Sequence, residues 1–87
     1  MKLDLTIHIW AEGSQYLAHA MPLDVMSSGP TPQAARDAVD EAVRCFVKTA
    51  VDAGSLDQIL EECGYSRQNG EWLAPDWVGV ERHAVAV

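Results

Sequence analysis

Basic side chains are scarce in this chain: six Lys and Arg residues stand against thirteen Asp and Glu, for a net charge of −7 at pH 7. Nonspecific binding to nucleic acids depends on Lys and Arg contacts with phosphates, so this balance disfavours it. The same balance favours the approach of a basic protein. We therefore expect no direct nucleic-acid binding and a partner of opposite charge.

Cysteine is rare as well, and the two cysteines, Cys45 and Cys63, are far apart in the chain. Zinc sites draw their ligands from closely spaced Cys and His residues, and neither cysteine has such a neighbour. His8, His19 and His83 fall on three separate predicted strands, so we expect surface or interface positions for them. The sequence predicts buried free thiols, as in other cytosolic proteins, no metal and no cofactor.

Long apolar runs are missing, since none approaches the roughly 20 residues that cross a membrane. The first residues, Met1-Lys2-Leu3-Asp4, lack the apolar region of a signal peptide, so we expect a cytoplasmic protein without membrane association. Hydrophobic residues make up 48% of the chain, too many for a disordered segment. The 87 residues suit one domain, 1–87, that buries about 60–65% of its unfolded surface.

One long amphipathic helix is predicted from Thr31 to Ala53. Thr31 can cap it, Pro32 suits its first position, and Gly54 can end it in a left-handed conformation. Small and apolar residues recur at steps of three and four, which is typical of a buried helix face. They are Ala35, Ala38, Val39, Ala42, Val43, Phe46, Val47 and Ala50. Such a face needs a sheet or a second helix to cover it.

Three strands are predicted before this helix. The first alternates apolar and polar positions, the pattern of a strand buried on one face. Its inward set is Leu3, Leu5, Ile7 and Ile9, and its outward set includes Thr6, His8 and Trp10. The second strand is predicted at Gln15–Met21 and the third at Leu23–Ser28, after the break at Pro22.

After the helix the pattern is shorter and more broken. Ser55 and Gln58 fit a capping box at the start of a second helix, which Gly64 ends. The Asn69-Gly70 pair predicts a tight turn. The valine-rich stretch from Trp77 to Val87 is predicted to form a final strand.

The predicted order is therefore β-β-β-α-(short α)-β, an α+β two-layer sandwich. A three-stranded antiparallel meander carries the helix on one face, and the final strand joins it after a right-handed crossover. The face with Thr6, His8 and Trp10 has nothing in the chain to cover it. An uncovered face and a valine-rich terminal strand together predict a homodimer or higher oligomer.

Several short motifs together resemble HicB-family antitoxins along nearly the whole chain. They occur in the second and third strands, at the entry to the long helix, within it, and after the short helix. They are Tyr16-Leu17-Ala18, Leu23-Asp24-Val25, Ser27-Ser28-Gly29-Pro30-Thr31, Glu41-Ala42-Val43 and Leu60-Glu61-Glu62-Cys63-Gly64-Tyr65.

The resemblance implies a truncated, partial RNase H-like fold. It also implies a role: binding and masking a small basic mRNA-cleaving toxin of the HicA type. Many relatives continue into a helix-turn-helix or ribbon-helix-helix segment, whereas no motif for entering a DNA groove is found before Val87, so we expect no C-terminal DNA-binding domain. The protein is then expected not to be an enzyme.

Partner contacts are predicted at exposed acids, which attract a basic protein, and at tryptophans, which are frequent interface anchors. The candidate residues are Trp10, Asp37, Asp40, Glu41, Glu61, Glu62, Trp72 and Trp77.

Two other readings remain. One is a small homo-oligomeric domain of the same fold without a toxin. The other is a metal-dependent nuclease, in which carboxylates converge on Mg²⁺ to activate water. The acids that such a nuclease could use are Asp4, Asp37, Asp40, Glu41, Asp76 and Glu81. Because Arg36 and Arg44 are interleaved with the helix acids, a solvated helix face is the expectation for those acids.

Overall fold

A computed structural model describes residues 2–87 of the chain. Five strands and two helices follow one another in the order predicted for an α+β fold. They are β1 (Thr6–Glu12), β2 (Gln15–Met21), β3 (Val25–Gly29), α1 (Pro32–Asp52), α2 (Leu56–Glu62), β4 (Ser66–Gln68) and β5 (Glu71–Leu73). The α+β class and the element order are thus confirmed.

The first three strands form an antiparallel meander in the order β1-β2-β3. In its register, Ile7 lies opposite Ala20 and Ile9 opposite Ala18, so these side chains share the inner face of the sheet. Ala18 and Ala20 are fully buried there. Small residues at the centre of the sheet let the long helix pack closely against it.

Helix α1 covers the inner face of the sheet through four buried residues, Ala35, Val39, Val43 and Ala50. Thr31 caps it as predicted, because its Oγ1 accepts a hydrogen bond from the Ala34 N–H at 3.0 Å. Gly54 follows the C-cap with a φ of 70°, a conformation that favours glycine. Local sequence signals thus place both ends of the helix correctly.

Gly29 brings the end of β3 close to the first turn of α1. A Cβ atom built at this position would lie 2.7 Å from the Ala35 amide nitrogen and 2.8 Å from two atoms of Ala34. These distances are shorter than real Cβ contacts, so only glycine fits without a shift of the helix. The connection between β3 and α1 therefore requires glycine at this position.

Helix α2 adds Leu56 and the fully buried Leu60 to the core. The predicted capping box at Ser55 is wrong, since its side chain makes no cap hydrogen bond. Ser55 has φ −113° and ψ 2° instead of the extended backbone of an N-cap, and its hydroxyl donates to the Ala50 carbonyl at 3.5 Å. Gln58 donates to Glu62 instead, at 3.1 Å.

The final strand is not where the valine pattern predicts it. Residues 74–87 form no helix or strand, and the chain instead returns to the sheet through the β4-β5 hairpin. Its turn is the predicted Asn69-Gly70 pair, with φ values of 51° and 79°. Trp72 in β5 makes a parallel bridge with Leu3. β5 therefore occupies the position beside the residues that precede β1. The valines after Trp77 have no such neighbour, and their preference for strands is not realised.

Two further expectations concern the cysteines and membrane-spanning segments. Cys45 is exposed and Cys63 is half-buried, so the prediction of two buried thiols is wrong; both are free. Cys45 lies one turn beyond Glu41 on the solvent side of α1, away from the buried positions. Within residues 2–87, no helix has both the length and the apolar content to cross a membrane.

Candidate partner-binding surface

The outer face of the meander, opposite α1, carries a group of aromatic and apolar side chains. The strand register places His8 directly opposite His19, and His19 opposite Met26. Trp10 lies two pairs further along β1, opposite Leu17. Side chains opposite each other in a sheet share one face, so these residues form a continuous surface.

Trp10 belongs to this surface and is 38% exposed. Its ring meets the His19 ring edge to face, with centroids 6.4 Å apart and an interplanar angle of 88°. Its indole N–H donates to a Glu12 carboxylate oxygen at 3.4 Å. The ring is therefore held in place while much of it remains available for contact.

Trp77 reaches the same face from the far end of the chain. Its indole N–H donates to the Thr6 hydroxyl at 2.6 Å, and its ring meets the His8 ring edge to face at 5.1 Å. Half of the Trp77 side chain stays exposed. The expectation that nothing in the chain covers the Thr6, His8 and Trp10 face is therefore wrong, since the segment after β5 covers part of it.

We call this surface the aromatic patch and define it as His8, Trp10, His19, Met26 and Trp77. Met26, which belongs to β3, is 52% exposed. Beside Trp77, a groove of about 350 Å³ opens between the β2-β3 turn and the segment after β5. Of the patch residues, only Trp77 lines this groove. A patch of half-exposed aromatic and apolar side chains with a groove at one side is suited to binding another macromolecule.

Three carboxylates surround the aromatic patch, and we call them the acidic rim: Glu12, Asp24 and Asp76. Glu12 contacts Trp10, and Asp24 pairs with His19 at 2.5 Å while 78% of its side chain stays exposed. Asp24 has a φ of 63°, a left-handed conformation that Asp tolerates better than most residues. Asp76 lines the groove next to Trp77. The rim gives the patch a negative edge.

The predicted partner-binding residues do not form one surface. Trp10 and Trp77 come together on the outer sheet face. The acids Asp37, Asp40, Glu41, Glu61 and Glu62 are exposed on α1 and α2. Since α1 lies on the opposite face of the sheet, its three acids are separated from the two tryptophans by the core.

Trp72 is a correction to the predicted set, because it is only 5% exposed and belongs to the core. Its backbone pairs with Leu3, ahead of β1, and the Arg67 guanidinium lies 5.5 Å from the centre of its ring. A tryptophan in this position holds the β4-β5 hairpin against the domain. It offers a partner almost no surface.

The patch also contains residues that sequence reasoning did not select. Met26 and the acidic rim were not among the predicted contacts, and His19 was expected at a surface or interface position without being named as a contact. The alternation in β1 and β2 carries a signal for part of this set, because it places His8, Trp10 and His19 on the outer face once the two strands pair. No local sequence pattern predicts that Trp77 packs on this face.

The carboxylates considered for a nuclease do not gather. In the part of the chain that the structure describes, no three His, Cys, Asp or Glu side chains are arranged to hold a metal ion. Asp40 pairs with Arg44 at 2.9 Å, and Asp37 accepts a hydrogen bond from Gln33 at 2.9 Å. These helix acids are thus engaged with neighbours on their own exposed face, as expected for a solvated face.

Comparisons with known proteins identify no relative. No family model, no curated protein and no solved structure matches the chain. Conclusions about function therefore depend on the aromatic patch, the charge of the chain and the resemblance of its motifs.

Proposed function

We propose that this protein is an antitoxin that binds and neutralises a small basic ribonuclease of the HicA type, in the cytoplasm and without catalysis of its own. The proposal is supported by the motifs that resemble HicB-family antitoxins. The single observation that carries it is the aromatic patch with its acidic rim, on an otherwise acidic protein. This surface has the composition of a protein interface, with aromatic anchors at its centre and charge around it.

The centre of the proposed interface is supplied by side chains that are half-exposed yet held in place. Trp10, Met26 and Trp77 expose 38%, 52% and 50% of their surface. Trp10 and Trp77 each make an indole hydrogen bond and an edge contact with a histidine ring. Ordering such side chains on binding costs little conformational entropy, because their geometry is already restricted.

The acidic rim determines the kind of partner that the patch can accept. Glu12, Asp24 and Asp76 disfavour an acidic protein and attract a basic one. Exposed charges act over about 8 Å at physiological ionic strength, so the rim guides a partner during its approach. The net charge of −7 adds a long-range attraction for the same basic partner.

The contribution of the patch can be tested with Trp10→Ala, using a small basic ribonuclease of the HicA type as the partner. Loss of a tryptophan at the centre of an interface typically costs 2 kcal/mol or more, equivalent to about 30-fold in affinity. We expect most of this loss in the dissociation rate. Val51→Ala is the matched control, because Val51 is 53% exposed on α1, in the other layer. Equal affinities of the two variants would contradict a role for the patch.

The acidic rim can be tested with two triple variants that each remove three negative charges. The first, Glu12→Gln, Asp24→Asn and Asp76→Asn, neutralises the rim. The second, Asp37→Asn, Asp40→Asn and Glu41→Gln, neutralises acids of α1.

Both variants reduce the long-range attraction equally, so any difference between them reports where the partner approaches. We expect the rim variant to slow association more, and the difference to shrink between about 50 and 500 mM salt. A larger effect of the α1 variant would move the interface to the helix. An association rate that does not depend on salt would remove the electrostatic part of the proposal.

A further inference from the structure

The meander ends at β3, and the outer edge of this strand has no neighbour. In the order β1-β2-β3, β3 pairs with β2 on one side, and on the other side it pairs with no strand between residues 2 and 87. Its sequence, Val-Met-Ser-Ser-Gly, contains neither a charged residue nor a proline, which commonly protect an edge from pairing. The backbone N–H and C=O groups that point away from β2 are therefore available to another strand.

The inner face of the sheet is also partly open at this edge. Val25 and Ser27 lie on the inner face, because they are paired with the buried residues Ala20 and Ala18. Both are nevertheless only half-buried. Helix α1 packs mostly over β2 and β3, so one of its flanks borders this opening. A strand added to β3 would therefore also meet the helix.

The flank of α1 on the β3 side consists of small side chains. The opposite flank is identified by Asp40, Arg44 and Val47, which line a groove next to β1 with Leu3 and Leu5. Successive helix residues are about 100° apart around the axis. On that basis the β3 flank carries Ala38, Ala42, Cys45 and Thr49. Short side chains on this flank let a second helix approach closely.

The dimensions of the two layers fit a second copy of this chain. Neighbouring strands lie about 4.8 Å apart, so a helix above the β2-β3 pair has its axis about 2.4 Å inside β3. Pairing of two β3 strands then places the two α1 axes about 10 Å apart, within the usual range for packed helices. A two-fold axis perpendicular to the sheet makes the strand pair and the helix pair antiparallel at once. A strand from another protein would need its own small-sided helix at the same height.

The size of this contact is sufficient for a dimer. Helix α1 has 21 residues and is about 31 Å long, and the helix and sheet layers are each about 10 Å thick. Contact along about 25 Å of this length buries about 500 Å² of each copy, or about 1,000 Å² in total, the lower limit for a specific interface. We therefore expect an affinity in the micromolar range.

We propose that two copies of this chain form a two-fold symmetric dimer in which their β3 strands pair antiparallel about Ser27 and their α1 flanks pack side by side. Pairing about Ser27 aligns all five residues of Val25–Gly29. The two meanders become one six-stranded sheet with both helices on its inner face. The aromatic patches stay on the outer face, next to each other, so the dimer can bind two partners. The dimer does not depend on the function proposed above.

The first test is sedimentation velocity on the full chain at about 50 μM, which populates micromolar dimers. About 500 mM NaCl screens the repulsion between two copies of charge −7. Cys45→Arg places a long side chain on the β3 flank, at an exposed position where the single chain has room for it. Because the change occurs at two symmetric places, we expect the dimer dissociation constant to rise at least about 30-fold.

Val51→Arg is the matched control for Cys45→Arg, because it changes the charge by the same amount. Val51 is 53% exposed and lies one turn beyond Val47, on the flank that faces β1. We expect this variant to leave the dissociation constant unchanged.

A disulfide locates the two-fold axis independently. In an antiparallel pair, the Cα atoms of opposed residues are about 4.5–5.5 Å apart, within the range of about 4.4–6.8 Å that disulfides span. Ser27→Cys combined with Cys45→Ser is therefore expected to link two copies through position 27 during mild oxidation. Ser14→Cys in the same background is the control, because Ser14 is exposed in the turn between β1 and β2.

A wild-type protein that stays monomeric in the first test overturns the proposal. So does a dimer that Cys45→Arg and Val51→Arg leave equally strong, since its interface would lie elsewhere, for example on the aromatic patch. Linkage through position 27 that is no faster than linkage through position 14 overturns the pairing of the two β3 strands.

Discussion

Replacing Gly29 with alanine tests the close contact between β3 and α1. The added Cβ would lie 2.7 Å from the Ala35 amide nitrogen and 2.8 Å from the backbone carbon and Cβ of Ala34. None of these atoms is the end of a flexible side chain, so none can rotate away. Either the helix start or the end of β3 must move by several tenths of an ångström. Ala34 also donates the N–H that Thr31 caps, so the cap is disturbed at the same time.

The expected cost is that of forcing an extra carbon into a packed site, about 1–3 kcal/mol. A chain of 87 residues loses roughly 4–8 °C of unfolding temperature for each kcal/mol. Gly29→Ala is therefore expected to lower the unfolding temperature by about 4–24 °C. Circular dichroism at 222 nm during heating measures the change, because α1 supplies most of the helical signal.

Gly79→Ala is the matched control, since a Cβ at that position meets no atom within 4 Å. It removes the same backbone freedom from the unfolded chain without a clash, so we expect it to change the unfolding temperature little. If Gly29→Ala unfolds within about 1 °C of this control, where the clash alone predicts at least 4 °C, the contact between β3 and α1 is not as close as described.

Three other substitutions address the cap, the core and the tyrosine that joins the N-terminal strand to the segment after α2. Thr31→Ala should cost about 1 kcal/mol in urea unfolding, through the lost bond to the Ala34 N–H, whereas Thr31→Ser should keep most of it. Leu60→Ala should cost about 2–5 kcal/mol, because Leu60 is fully buried, and a loss below 1 kcal/mol would contradict its central position. Burial raises the pKa of Tyr65 to about 12, and the Asp4 carboxylate and Cys63 add to this rise. The Tyr65 hydroxyl donates a hydrogen bond to the Asp4 carbonyl at 2.6 Å. The unfolded chain loses this proton near pH 10 and the folded chain near 12, so stability should fall across that interval, and Tyr65→Phe should remove this part of the fall.

The elements with strong local periodicity could be predicted from the sequence. The apolar steps between Ala35 and Ala50, with a cap at Thr31 and a glycine at position 54, are sufficient to define α1. The alternation in Thr6–Glu12 and the bounds of Gln15–Met21 are likewise local features. Such patterns determine which face of an element is buried before any tertiary contact is known.

The predictions that are wrong concern features that depend on contacts between distant parts of the chain. The valines after Trp77 have the composition of a strand, but β5 already occupies the place beside Leu3. Trp72 could be read equally well as an anchor or as a core residue, and its burial follows from the return of the β4-β5 hairpin to Leu3, ahead of β1. Sequence periodicity does not indicate which segment of the chain pairs with an unpaired strand edge.

The candidate site was partly predictable for the same reason. Trp10 was placed on the outer face by alternation within β1, and its contact with His19 follows from a short hairpin. The Trp77 indole, in contrast, bonds to Thr6 across 71 positions of sequence. The predicted acids of α1 remain candidates for a basic partner, although the structure places them on the other side of the core from the aromatic patch.

The central claim is tested most directly by RNA cleavage. A purified small basic ribonuclease of the HicA type, the proposed partner, is assayed on a fluorescent RNA at a fixed concentration, while the protein is added in increasing amounts. The account predicts that cleavage falls to the background level near a stoichiometric ratio, and that Trp10→Ala requires a large excess to reach the same inhibition. Undiminished cleavage at a tenfold excess of folded wild-type protein would contradict it.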